Sequence, residues 1–108
     1  MKKNPFEMEI QHKIERGILT LELSGDLDVS NFYSIEKYIK DIKKKFKDVC
    51  VDLEKVYYID SVSIEYLMHL NNALKSRGAT LTLLNLFGNM RRIFEVSGLE
   101  DFFKISNT

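Results

Sequence analysis

The side chains able to do chemistry gather in one stretch, YYIDSVSIEYLMHL at residues 57–70. An apolar segment runs into Asp60-Ser61, and the apolar spacing then becomes that of an amphipathic helix. A carboxylate beside a hydroxyl at such a junction supports three readings. It can cap the helix, it can belong to a catalytic set, or the serine can be displayed for another protein to modify. Geometry opposes a nucleophilic set of Asp60, Ser61 and His69. If residues 61–69 are helical, eight steps of about 1.5 Å separate serine from histidine by roughly 12 Å along the axis. His12 lies in an alternating segment that gives no reason to approach Ser61. The nucleophile-elbow pattern Gly-x-Ser-x-Gly is missing, since residues 59–63 read IDSVS. A small serine hydrolase is therefore the remotest function, and no catalytic residue is expected.

Other chemistries find less support. Gly17, Gly25, Gly78, Gly88 and Gly98 are scattered and form no phosphate-binding run. Cys50, His12 and His69 share no metal-ligand spacing. Asp26 and Asp28 precede a predicted helix, where two carboxylates serve as turn or capping residues more simply than as a cation site. No metal and no cofactor is expected.

The bulk properties set the frame for that stretch. The 108 residues suit one domain, 1–108, able to bury about two thirds of its chain surface. Hydrophobic residues at 44% and charged residues at 30% place it among globular rather than disordered chains. Sixteen Lys plus Arg balance sixteen Asp plus Glu, so no net field draws the chain toward nucleic acid or an anionic membrane, and neither is expected as a partner. The local excess of Lys37, Lys40, Lys43, Lys44, Lys45 and Lys47 fits the C-terminal end of a predicted helix, where cations meet the helix dipole favourably. The single cysteine, Cys50, lies in the apolar run Val49-Cys50-Val51 and reads as a buried thiol. With no apolar stretch near 20 residues and no signal-type segment, the expected location is the cytoplasm.

Periodicity supplies the elements around the site. Residues 8–14 and 18–24 alternate apolar and polar across Glu15-Arg16-Gly17, as an antiparallel hairpin would. Gly25-Asp26-Leu27-Asp28 reads as a turn. Phe32, Ile35, Ile39, Ile42 and Phe46 then recur at helical spacing, with Ser30 or Asn31 available as a cap. Residues 49–53 and 81–86 read as strands, and Ser61 to Lys75 as a helix stopped by Gly78. A third helix carries Met90, Ile93 and Phe94, after which Phe102, Phe103 and Ile105 close the core. The expected fold is α/β: an opening antiparallel hairpin, then parallel crossovers, giving a mixed sheet with helices packed on it.

These residues in this order resemble a STAS domain, the family of bacterial anti-sigma factor antagonists and related regulatory domains. The resemblance rests on Gly25-Asp26-Leu27-Asp28 before the first helix, Val49-Cys50-Val51-Asp52-Leu53 as central strand and Tyr58-Ile59-Asp60-Ser61 before the second helix. Phe94-Glu95-Val96-Ser97-Gly98-Leu99 with Phe103-Lys104-Ile105 extends it to the C-terminus. It implies that Ser61 is the serine phosphorylated by a partner anti-sigma factor that is also a kinase, with Ser63 as a secondary acceptor. The unmodified domain would bind that partner through Asp26, Asp60, Ser61, Val62, Ser63 and Glu65 and free a sigma factor, and the phosphorylated form would not. The family pattern has glycine where Ser63 stands and often another where Glu65 stands. The alternative is a scaffold or ligand-sensing STAS domain of a larger assembly that is not phosphorylated. A monomer or weak dimer suits either role.

Overall fold

In the computed structural model, which describes residues 8–107, the two alternating segments pair as an antiparallel hairpin. β1 (Glu9–Glu15) and β2 (Ile18–Leu27) set Ile10, His12 and Ile14 opposite Leu23, Leu21 and Leu19. Arg16 and Gly17 make the turn with φ of 54° and 77°, the left-handed backbone that two-residue hairpins prefer. The chain continues through α1 (Phe32–Lys40), β3 (Asp48–Ile59), α2 (Ser61–Lys75), β4 (Leu81–Leu84), α3 (Gly88–Val96), a 3₁₀ turn (Leu99–Asp101) and β5 (Lys104–Ser106). The strands lie in the order β1-β2-β3-β4-β5, and every pair after the hairpin is parallel.

That order decides where the core sits. Right-handed crossovers that all step in one direction leave their helices on one face of the sheet. Burial agrees: Leu19, Leu21, Val49, Val51, Leu81 and Leu83 form one buried cluster with Ile35 of α1, Leu67 and Leu74 of α2, and Met90 and Phe94 of α3. Each such side chain contributes on the order of 2 kcal/mol when removed from water. The alternate residues Thr20, Glu22, Cys50, Asp52 and Leu84 point to the other face and keep part of their surface in solvent.

β3 departs from simple alternation, and the departure builds the site. Its buried residues are Val49, Val51 and Leu53, then Val56, then Ile59. Its register against β2 slips twice: Glu22 pairs with Asp52 but Ser24 with Lys55, and Gly25 pairs with Val56 but Asp26 with Tyr58. At each slip β3 carries one extra residue, so two exposed positions separate the buried ones. Such bulges bend a strand and increase its twist.

Several expectations need correction. Gly25-Asp26-Leu27 is not a turn but the end of β2, because β3 runs on past Leu53 to Ile59 and gives it a partner. Helix α1 stops at Lys40, short of Phe46. Ile42 and Phe46 do pack against the core, but from irregular backbone, and the Lys47 amide donates to Gly17 O at 2.7 Å to lead the chain into β3. Neither Ser30 nor Asn31 caps α1 with its side chain. Residues 104–106 add a fifth strand rather than only core contacts. Cys50 is half-buried on the outer sheet face, flanked in register by Thr20 and Thr82. Burial pushes its thiol pKa up, against the opposing pull of Lys104.

Candidate functional site

The site forms where β2 and β3 end side by side and each turns into a helix. Asp60 is extended, with φ −96° and ψ 171°, which lets its side chain fold over the first turn of α2. Its Oδ1 accepts the Ser63 amide at 2.8 Å. Its Oδ2 accepts the Val29 amide, also at 2.8 Å, from the β2–α1 loop. Its own amide donates to Leu27 O at 3.2 Å. One carboxylate therefore caps α2 and clamps the neighbouring loop to it. Desolvation raises the Asp60 pKa, but the hydrogen bonds from Ser63 and Val29 outweigh it and hold the carboxyl below its ordinary value.

The neighbouring loop is shaped before it reaches Asp60. Asn31 Oδ1 accepts the Asp28 amide at 2.9 Å while Asn31 Nδ2 donates to Asp26 O at 2.6 Å. Asp28 Oδ1 accepts both the amide and the hydroxyl of Ser30, at 2.9 and 2.5 Å. The end of β2 and the loop are thus knitted together, with Asp26 in the strand, partly exposed and opposite Tyr58, and Asp28 in the loop.

Ser61 is the first residue of α2 and is exposed. Its amide and that of Val62 make no hydrogen bond within the described residues. A helix start with free amides is a place where an anion is favourable. Val62 is exposed, and so is Glu65 one turn further on. Ser63 differs: it is fully buried, and among the described residues its hydroxyl makes no hydrogen bond of good geometry, although it lies near enough to Asp60 to help lower that carboxyl's pKa. Expected as a secondary acceptor and a contact residue, it turns toward the core because the third position of α2 faces the sheet.

The surface near Ser61 is more apolar than the sequence suggests. Val29, Tyr33 and Tyr58 are 55%, 63% and 53% exposed. Tyr33 stacks on Phe32 with ring centroids 4.2 Å apart, and Phe32 meets Tyr66 at 5.3 Å, joining the first turn of α1 to the second turn of α2. Burial and nearby Glu36 push the Tyr66 hydroxyl up to about 12. Sequence reasoning did not single out Val29 or Tyr33, and it read Tyr58 only as part of the motif leading to Asp60, not as an exposed surface residue. The slips in β3 decide which way the Tyr57-Tyr58 pair faces, and no period reveals them.

The residues of the hydrolase reading do not meet. His69 lies on α2 with Ser61, and His12, in β1, is hydrogen-bonded through Nδ1 to the Tyr38 hydroxyl at 2.6 Å. Among the described residues, no three of His, Cys, Asp and Glu gather so as to hold a metal ion.

Comparison with known proteins fits this architecture. The STAS domain family model matches residues 9–108. The chain belongs to the STAS domain family. This STAS domain is 26% identical over 102 residues to the anti-sigma-B factor antagonist of Staphylococcus aureus, covering 94% of each chain. Its fold matches a putative anti-sigma factor antagonist from Thermotoga maritima with a TM-score of 0.82 at 22% identity, covering 92% of this chain and 86% of that one. It also matches the phosphorylated form of the Bacillus cell fate determinant SpoIIAA, with a TM-score of 0.68 at 21% identity and 90% of each chain covered. The Staphylococcus and Thermotoga proteins are named as anti-sigma factor antagonists, the second as a putative one. Among the described residues no helix is long and apolar enough to cross a membrane.

Proposed function

We propose that this STAS domain is an anti-sigma factor antagonist whose binding is switched by phosphorylation of Ser61. The observation that carries the reading is the placement of Ser61: exposed at the first position of α2, beside two free amides and the ionised Asp60. The partner is an anti-sigma factor that is also a serine kinase. It docks on the end of the sheet where Asp26, Asp60, Ser61, Val62 and Glu65 lie, with Val29, Tyr33 and Tyr58 as apolar anchors.

The switch needs no change of fold. Transfer of the ATP γ-phosphoryl to Ser61 Oγ forms a serine phosphate, releases ADP and gives the hydroxyl proton to a base on the kinase. The product carries about −1.5 to −2 charge. The free amides of α2 stabilise it within the unbound domain, so the modified protein stays folded. In the complex, the same charge faces an interface already holding Asp60. One unit-charge repulsion at about 4 Å costs about 4 kcal/mol at an effective dielectric near 20, which weakens binding about a thousandfold.

The test is intact mass after incubation with the anti-sigma kinase of its host and ATP. A gain of one phosphate that Ser61→Ala abolishes supports the reading, and a gain that persists in Ser61→Ala assigns the switch elsewhere. Exposed Glu65, where the family often has glycine, favours a second reading in which the domain is an unmodified scaffold. In that case Ser61→Ala and Ser61→Asp bind the partner alike.

A further inference from the structure

Zero net charge conceals a segregation of charge along the strands. Asp26, Asp28, Asp60 and Glu65 lie at the carboxyl end of the parallel strands, and Lys43, Lys44, Lys45 and Lys47 lie at the amino end, before β3. Hydrogen bonds from Lys47 N–H to Gly17 O and from Thr80 N–H to Asp48 Oδ1 bring the hairpin turn and the start of β4 to the same end. β2 crosses the sheet between the two ends in 10 residues, so at about 3.3 Å per residue the two poles stand about 30 Å apart.

The helix dipole does not account for these lysines. α1 ends at Lys40, and the favourable field of a helix terminus fades beyond its last turn. Nor do local acids neutralise them. Asp41 pairs with Lys37 at 2.9 Å, and Asp48 is taken up by Thr80. Among the described residues Lys40, Lys43, Lys44, Lys45 and Lys47 make no ion pair, and all five are exposed. Ile42 and Phe46 are packed against the core between them, so the segment presents its charges outward from an anchored backbone.

We infer that this lysine pole docks the domain onto an anionic lipid surface. The choice of lysine throughout the segment, with no arginine fork and no exposed aromatic ring between residues 37 and 47, suits a diffuse field of negative charge. The segment itself lacks the bidentate and stacking groups with which proteins grip nucleic acid, and Arg16 and Arg77, exposed at the same end in the hairpin turn and before β4, add to the charge of the pole. The apolar residues of the segment face inward, so attachment is electrostatic, reversible and sensitive to salt. The acidic pole is repelled by the same surface, which orients Ser61 away from the lipid and leaves it open to a protein partner. Each lysine near an anionic bilayer strengthens binding about fivefold.

Sedimentation of the full chain with vesicles tests this. Vesicles of phosphatidylcholine with about one third phosphatidylserine should retain the protein at low salt and release it as salt rises, and pure phosphatidylcholine should not retain it. The triple variant Lys43→Gln, Lys44→Gln, Lys45→Gln should bind about a hundredfold more weakly while still accepting phosphate at Ser61. If that variant fails to fold, the pair Lys40→Gln, Lys47→Gln should lose about 25-fold. Failure to bind at low salt, binding equal on both vesicle types, or undiminished binding by the folded variants overturns the proposal. Tighter retention on duplex DNA than on the anionic vesicles overturns it in favour of nucleic acid.

Discussion

The helices that follow β2 and β3 begin in opposite ways. At α1, Asn31 turns its side chain back toward the strand, satisfying Asp28 N–H and Asp26 O and leaving the first turn without a side-chain cap. At α2, Asp60 points both forward, to Ser63, and sideways, to Val29. Asn31 organises one loop. Asp60 joins that loop to another helix, so the surface around Ser61 is held as one piece by one carboxylate.

Breaking the more connected junction should cost most. Asp60→Ala removes a cap and a charge-assisted link, and is expected to lower stability by about 2 kcal/mol in urea unfolding. Asn31→Ala removes two loop hydrogen bonds and should cost about 1 kcal/mol in the same measurement. Equal losses would dissolve the contrast. Acid should reveal the same asymmetry with a smaller effect. Because folding depresses the Asp60 pKa, the unfolded chain binds the proton more readily. Its stabilisation is complete above the unfolded value near about 4 and disappears as pH falls through the lower folded value. Asp60→Asn, which titrates in neither state, should show a shallower acid limb in thermal unfolding followed against pH. The smallest expected effect is at Ser63. Among the described residues its buried hydroxyl makes no hydrogen bond of good geometry, so Ser63→Ala should change stability by less than about 1 kcal/mol in calorimetry. A clear loss would mean that the hydroxyl is bonded.

Much of the architecture could be read from spacing alone. The hairpin was visible because Ile10, Ile14, Leu19, Leu21 and Leu23 alternate without interruption, and α2 because Ile64, Leu67, Leu70 and Leu74 keep helical spacing. That Asp60 or Ser61 caps α2 followed from their place before that helix, and the structure gives the role to Asp60. What escaped depends on tertiary contact. Ile42 and Phe46 continue the helical spacing of α1 while packing from loop backbone, so periodicity reports that they are buried and not how. β5 is three residues long, too short to establish a period. The inward turn of Ser63 and the outward turn of Tyr58 depend on how α2 and β3 lie against the sheet. The clamp on Val29 joins residues 31 positions apart, which no local pattern contains.

The two slips in β3 act as slack taken up by one strand of a pair. Burial in β3 starts on odd-numbered positions at Val49, moves to an even one at Val56 and returns to an odd one at Ile59, while in β2 it stays on odd-numbered positions from Leu19 to Leu27. Because β2 sets the facing, deleting the extra residue at either slip would heal that bulge and leave Ile59 opposite Leu27, with Asp60 still beside Val29. A deletion in the regular stretch from Val49 to Leu53, which no slip absorbs, would instead turn the neighbouring side chains to the wrong face and should be tolerated far less well.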